Sequence, residues 1–193
     1  MNPRLSCIVS TFNRPLELQL MLLSLRLQTE PNIEIVIADN STEESVIERN
    51  QAAAKLDSRI EYCLVQAPTC YVAASRLISS VTGDYLCFPS DDGYYMPGFA
   101  KLMVEHAEQN QLGLVYCDMV DDPRMFGRYC VRDVRPSLGY IDKTCYIVKR
   151  EEFHGFPQRE GDNDWAADWW LVDDLIKRGV RHGKLNQLLV VHN

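Results

Sequence analysis

The sequence predicts a single α/β domain, with a mostly parallel central sheet, helices on both faces and a small antiparallel element in the C-terminal third. Short apolar segments of strand length alternate with helical segments through the first two-thirds of the 193 residues. The composition, 46% hydrophobic and 24% charged, is typical of a globular protein, and the length allows one domain with a substantial core. Strands that alternate with helices in this way favour a parallel sheet covered on both sides.

The first two-thirds of the chain divide into five strands and four helices. Strand-like apolar runs occupy residues 5–10, 33–38, 60–65, 85–88 and 112–117. Helical segments lie between them at about 15–28, 44–56, 71–81 and 97–110. Pro15 and Pro97 suit the first turns of their helices, and Ser41 with Glu44 has the spacing of a capping box.

The pattern changes after Asp118. Residues 128–134 and 144–148 are predicted as strands joined by a polar loop, which indicates an antiparallel element. A helix at 162–178 and a final strand at 184–191 follow. One apolar stripe of that helix is formed by Trp165, Trp169, Val172 and Ile176. Asp168 lies about 60° from the centre of this stripe, which predicts that its carboxylate leans toward the protein body.

Charge and cysteine content exclude several classes of protein. The net charge of -7 argues against a general nucleic-acid-binding function, because such proteins need a basic face. No apolar run reaches the length of a membrane span. Because Met1 to Arg4 lead directly into a strand-like run, we expect no signal peptide. The seven cysteines are scattered, which disfavours a zinc site or a disulfide framework. We expect a cytoplasmic location, with peripheral contact to a membrane left open.

Polar residues follow three of the predicted parallel strands. Thr11, Asn13 and Arg14 lie in the loop after the first strand, which enters a helix N-terminus and can offer N–H groups and a cation to a phosphate. Asp39 follows the second strand and can hydrogen-bond a base or a ribose.

The fourth strand ends in Asp91-Asp92-Gly93. A carboxylate pair at this position can hold Mg²⁺ or Mn²⁺, although an Asp-Gly turn alone explains it equally well. Because ligands of open α/β sheets bind at the carboxyl ends of strands, we expect the three strand ends to form one site.

Asp168 is the fourth candidate. A carboxylate that leans inward beside tryptophans can have a raised pKa and act as a general base. A buried aspartate satisfied by backbone donors is the simpler interpretation of the same pattern.

Taken together, these motifs resemble those of the inverting nucleotide-sugar glycosyltransferases of family 2, which have the GT-A fold. The resemblance covers nearly the whole chain, and it rests on the order and spacing of several segments. These are residues 8–15, 28–41, 83–98, 148–156, 167–169 and 188–192.

The resemblance implies direct displacement at the anomeric carbon, with a divalent cation (Mn²⁺ or Mg²⁺) on the diphosphate. The donor would be a nucleoside diphosphate sugar, with UDP favoured and GDP or dTDP as alternatives, and the acceptor a carbohydrate or a glycolipid. Residues 1–118 would form the nucleotide-binding part, and residues 119–193 the part that carries the acceptor and the catalytic base. The implied assignments are Asp168 as catalytic base, Asp92 as metal ligand, and Thr11, Asn13, Arg14, Asp39, Arg76 and Asp91 as substrate-binding residues.

The chain also departs from the family pattern. Ser90 stands where relatives often have the first aspartate of Asp-x-Asp, which predicts weaker metal binding. The arginine common in the third helix is replaced by Ala74, with Arg76 displaced by two residues, and Asp164 is the second candidate for the base. His192 could approach the metal or the diphosphate, although a lone histidine in a strand is more often structural.

Two other functions remain open at this stage. A non-catalytic nucleotide-sugar binding module is consistent with Ser90. A nucleotidyltransferase usually has a glycine-rich loop after its first strand, and residues 10–14 contain no glycine.

Overall fold

The structure, a computed structural model, describes residues 4–121, 127–158 and 166–192. Strands β1 to β9 are Leu5–Thr11, Ile33–Asp39, Ile60–Leu64, Tyr85–Cys87, Gly93–Tyr95, Leu114–Asp121, Cys130–Arg132, Tyr146–Lys149 and His182–His192. Helices α1 to α5 are Pro15–Arg26, Glu44–Ala54, Cys70–Arg76, Phe99–Asn110 and Ala167–Lys177. Short 3-10 turns at Ile78–Ser80, Lys143–Cys145 and Arg150–Glu152 complete the described elements. In this part of the chain, no helix is long and apolar enough to cross a membrane.

One sheet contains all these strands, in the order β3-β2-β1-β4-β8-β6-β9-β5, with β7 paired to β6. The β3-β2-β1-β4 half is parallel throughout. Every residue of β1 is buried although successive side chains point to opposite faces, so both faces of the sheet are covered. The predicted α/β class and its parallel half are therefore confirmed.

The second half of the sheet is mixed. Strand β8 is antiparallel to β4 and β6, whereas β9 is parallel to β6 and antiparallel to β5. The two strands predicted after residue 118 do not pair with each other, because both β7 and β8 pair with β6.

Strand β5 is absent from the sequence prediction. Its first residue, Gly93, fits because a Cβ there would lie 2.9 Å from the backbone oxygen of Val191 in β9. The close approach of the two backbones therefore requires glycine at this position.

Two helix predictions need correction. The helix predicted at 71–81 ends at Arg76, and a 3-10 turn replaces its last part. In α5 the buried face passes through Asp168, Leu171, Val172 and Leu175, at the spacing of consecutive helical turns. Trp169 of the predicted stripe is only partly buried, because this face is rotated toward Asp168. Trp165 lies outside the described residues.

Candidate functional site

A cleft of about 230 Å³ opens at the carboxyl ends of the parallel strands. It is lined by Thr11 and the loop that follows β1, by Asn40 after β2, by Cys70 at the start of α3, and by Asp91 and Asp92 after β4. The structure therefore brings the three polar strand ends to one site, as the parallel arrangement predicts.

Asn13 holds the loop after β1 in place. Its φ of 52° lies in the left-handed region, which asparagine tolerates better than most residues. Its backbone N–H donates to the Ser41 hydroxyl at 2.9 Å, and its side-chain oxygen accepts from the Thr42 N–H at 3.1 Å. Asn13 thus connects the loops after β1 and β2.

The carboxylates of Asp91 and Asp92, which follow β4, both pair with the guanidinium of Arg14. The Arg14 guanidinium lies 3.3 Å from Asp91 Oδ1 and 3.0 Å from Asp92 Oδ2, and half of the arginine side chain is exposed. The Thr11 hydroxyl donates to Asp91 Oδ2 at 2.8 Å. Burial raises the pKa of Asp91, and the Thr11 hydrogen bond and the charge of Arg14 oppose this rise.

Asp92 also faces His192 at the end of β9. His192 Nε2 lies 3.6 Å from Asp92 Oδ1. Both Asp92 Oδ1 and His192 Nδ1 are buried, and neither has a hydrogen-bond partner among the described residues. Buried polar atoms in folded proteins are nearly always paired. Asp92 Oδ1 is therefore suited to bind an atom that does not belong to this chain, such as a metal ion.

A divalent cation fits this arrangement. Mg²⁺ and related cations often take only one or two side chains from the protein, with phosphate oxygens and waters as the remaining ligands. Asp92 and His192 can provide such a partial set. In the described part of the chain, no three His, Cys, Asp or Glu residues form a complete metal-binding group.

Two predicted substrate-binding residues, Asp39 and Arg76, form hydrogen bonds with other residues of the chain. Asp39 is fully buried, and its carboxylate accepts from the Ser41 N–H at 2.8 Å, from Asn50 at 2.9 Å and from the Tyr62 hydroxyl at 2.7 Å. Arg76 is exposed and donates to the Gln66 carbonyl at 2.5 Å. Neither lines the cleft, so their contact with a nucleotide stays a prediction.

Asp168, in the first turn of α5, is 8% exposed. Its Oδ1 accepts from the Trp169 N–H at 2.8 Å. Burial and then the charge of Asp142 raise the pKa of Asp168 to about 7, against the opposing hydrogen bond and the charge of Lys143. At neutral pH this group can therefore both take up and release a proton. Asp164 lies outside the described residues.

Sequence reasoning missed Asp142, whose charge acts on Asp168. Asp142 caps the 3-10 turn Lys143–Cys145, accepting from the Thr144 N–H at 2.8 Å and from its hydroxyl at 2.6 Å. Although burial raises the pKa of Asp142, the charge of His192 and the Thr144 hydrogen bonds outweigh burial and lower it. The Asp-x-Thr spacing is a local capping signal, but it gives no indication that Asp142 influences Asp168.

A family model described as "Glycosyl transferase family 2" matches residues 6–157. The chain belongs to this family. An uncharacterized glycosyltransferase of Haemophilus influenzae is 31% identical over 126 residues, which are 61% of this chain and 41% of the relative. A Campylobacter jejuni protein, "GalNAc(5)-diNAcBac-PP-undecaprenol beta-1,3-glucosyltransferase", is 27% identical over 111 residues, 55% of this chain and 35% of its own. The family 2 chain thus spans less than half the length of these curated relatives.

Solved structures show the same fold. The mannosyltransferase PcManGT of Pyrobaculum calidifontis, in complex with GDP-Man and Mn²⁺, superposes with a TM-score of 0.78 at 19% identity. That match covers 100% of this chain and 57% of the other. S. aureus TarS 1–349 in complex with UDP-GlcNAc gives a TM-score of 0.75 at 15% identity, covering 99% and 58%. At these identities, the likeness concerns the fold alone.

Proposed function

We propose that this family 2 chain carries the catalytic centre of a glycosyltransferase. It would transfer a sugar from a nucleoside diphosphate sugar to an acceptor hydroxyl, with inversion at the anomeric carbon. The observation that carries the proposal is one connected set of charges. The charge of Asp142 raises the pKa of Asp168, the charge of His192 lowers the pKa of Asp142, and His192 Nε2 lies 3.6 Å from Oδ1 of Asp92, which lines the cleft.

The cleft is the donor site in this proposal. Thr11 and Arg14 lie beside the helix N-terminus of α1, where N–H groups and a guanidinium suit a phosphate. Asp91 is positioned by both side chains and is available to a ribose hydroxyl. Residues 1–118 would thus supply the nucleotide pocket, and His192, from the second part of the chain (residues 119–193), would act on it through Asp92.

Asp92 and His192 would hold a divalent cation, Mn²⁺ or Mg²⁺. When bound, such a cation stabilises negative charge on the nucleoside diphosphate leaving group. The orphaned Asp92 oxygen supports this assignment, and so does the Mn²⁺ complex of the similar mannosyltransferase.

Asp168 is the base of the proposed reaction. Its carboxylate takes the proton of the acceptor hydroxyl while the acceptor oxygen forms a bond to the anomeric carbon. The bond from that carbon to the diphosphate breaks on the opposite face, which gives inversion in one displacement. A pKa of about 7 makes Asp168 a stronger base than an ordinary carboxylate.

Three relatives support the substrate class. Two solved neighbours were crystallised with GDP-Man and UDP-GlcNAc, and the Campylobacter relative is named for an undecaprenol-linked acceptor. We therefore infer a UDP-, GDP- or dTDP-linked donor and a carbohydrate or glycolipid acceptor.

Calorimetry and donor hydrolysis test the proposal. UDP, GDP and dTDP are titrated with and without Mn²⁺, and nucleotide release from the matching sugar donors is then measured. Asp92→Ala should weaken nucleotide binding in Mn²⁺, whereas Asp168→Asn should keep binding and lose turnover. Asp173→Asn is the matched control, because Asp173 lies on the same helix but pairs with Lys177 at 2.6 Å.

Each result has a defined meaning. Failure of all three nucleotides to bind would overturn the proposal. Tight binding without hydrolysis by the wild type would favour a non-catalytic nucleotide-sugar binding module. Equal turnover in wild type and Asp168→Asn would remove Asp168 from the base position.

A further inference from the structure

Helix α1 is apolar on two opposite faces. Its inner face buries Leu18, Met21, Leu22 and Leu25. Its outer face carries Leu16, Leu20 and Leu23, and Leu27, directly after the last residue of α1, continues the same face. We call these four residues the leucine stripe. At about 100° per residue, the stripe falls within a sector of about 60°, directly opposite the buried face. A helix that is apolar all round is normally buried on all sides, so the stripe indicates a surface that is covered in the working protein.

The leucine stripe is open in the isolated chain. Its leucines are 62%, 59%, 49% and 59% exposed in chain order, and Leu56, beyond the end of α2, is 74% exposed. A groove of about 540 Å³ runs between α1 and α2, with Leu20, Leu23 and Leu56 in its walls. The five leucines present roughly 500 Å² of apolar surface, at the upper end of what a monomer usually exposes.

We propose that the leucine stripe is a two-fold interface between two copies of this chain. The stripe is self-complementary when two α1 helices run antiparallel: Leu16 meets the partner's Leu27, and Leu20 meets the partner's Leu23. The spacing of four, three and four residues is the a/d pattern by which helices interlock. A two-fold contact requires this match of one patch with itself.

The area and the polar rim agree with a dimer. A standard interface buries about 800 Å² on each partner, and the leucine stripe together with Leu56 supplies more than half of that. Gln19, Arg26 and Arg49 also line the α1–α2 groove and would form its polar rim. In the antiparallel arrangement, the two copies of Arg26 are offset along the helix axis by roughly 14 Å, beyond the Debye length.

A lipid surface is a poorer match for the stripe. Helices that lie on membranes carry many lysines and arginines on the polar face, which attract anionic lipids. Helix α1 has one basic residue, Arg26, and one acidic residue, Glu17, and the chain has a net charge of -7. An anionic bilayer would therefore repel the chain as a whole.

The proposed arrangement leaves both donor clefts free. Arg14, which lines the cleft, directly precedes α1. In an antiparallel pair, the two Arg14 residues lie at opposite ends of the helical contact, about 22 Å apart along the axis. The dimer is therefore compatible with nucleotide binding in both copies.

Light scattering after size-exclusion chromatography tests the interface. At about 50 µM, where a micromolar dimer is well populated, the wild-type chain should have twice the monomer mass. Leu20→Glu and Leu23→Lys should each be monomeric, while their far-ultraviolet circular dichroism stays unchanged. Leu64→Glu is the matched control, since Leu64 is 47% exposed on the edge strand β3 and should leave the dimer intact.

An equimolar mixture of the two variants tests the orientation. Because position 20 faces the partner's position 23, Leu20→Glu and Leu23→Lys should restore a heterodimer with one Glu–Lys pair. A monomeric wild type at this concentration, or dimeric single variants, would overturn the proposal. Failure of the mixture to associate would contradict the antiparallel geometry. Sedimentation with phosphatidylcholine–phosphatidylglycerol vesicles that Leu20→Glu abolishes would assign the stripe to a membrane instead.

Discussion

Replacing Asp168 with asparagine removes the proposed base, and it also removes a charge that the fold disfavours. The ordinary pKa of an aspartate is 3.8, and in the folded chain the pKa of Asp168 is raised to about 7. Below pH 3.8 the carboxyl group of Asp168 is protonated in both the folded and the unfolded chain. The ionisation of Asp168 then does not reduce the free energy of unfolding. As the pH rises from 3.8 to about 7, the unfolded chain releases this proton first, and stability is lost.

The size of this effect follows from the two pKa values. The difference between 3.8 and about 7 corresponds to roughly 4 kcal/mol of unfolding free energy at pH 8. Asparagine has nearly the same shape, and its side-chain oxygen can still accept from the Trp169 N–H. Asp168→Asn should therefore be more stable than the wild type at pH 8, although we expect it to be inactive. A domain of this size gains about 2–4 °C in Tm per kcal/mol, so we expect an increase of about 8–16 °C.

Thermal unfolding of the metal-free protein at pH 5 and pH 8 measures how much the charge of Asp168 lowers the stability of the folded chain. The gain in Tm from Asp168→Asn should be large at pH 8 and much smaller at pH 5, where most of the wild-type side chain already carries its proton. Asp173→Asn should show no such dependence on pH. An equal gain at both values, or a less stable variant at pH 8, would refute the assignment of a raised pKa to Asp168.

Three further predictions concern the surroundings of the cleft. His192→Gln should weaken Mn²⁺-dependent nucleotide binding by about tenfold in calorimetry, and unchanged binding would exclude His192 as a ligand. Asp142→Asn retains an acceptor for the Thr144 N–H but loses the negative charge that helps raise the pKa of Asp168. The rising limb of donor hydrolysis should therefore move to lower pH, and an unmoved midpoint would contradict this. UDP should slow the alkylation of Cys70, which lines the cleft, without protecting Cys130, and peptide mass spectrometry reports both rates.

The parallel half of the sheet could be predicted because its signals are local. Each strand from β1 to β4 is a short apolar run, and a helix follows each of the first three. The helices α1 and α2 place the next strand directly beside the last one, and α3 returns the chain to the other side of β1, where β4 pairs. The second half could not be predicted in this way. Strand β9 lies between β6 and β5. No local sequence signal near β9 predicts its pairing with either strand.

The candidate site likewise has a part that the sequence predicts and a part that it does not. Thr11, Arg14, Asp91 and Asp92 converge because they follow parallel strands, and this was predictable. The hydrogen bonds that bury Asp39 were not, because they depend on side chains from α2 and β3. Asp142 influences Asp168 only through space, so no spacing in the sequence could reveal it.

The pairing of β5 affects the order in which the sheet and the proposed cation site form during synthesis. In the described chain, β5 is bonded into the sheet only through β9. While the ribosome is still translating the codons before residue 182, the segment directly after Asp92 has no strand to hold it. That segment is then held by α1 without a strand, because the Ser24 hydroxyl accepts from the Tyr95 N–H, and the carboxylate pair still lacks His192. A nascent chain can therefore form the parallel half early, but the cation site should close only once β9 has emerged and docked.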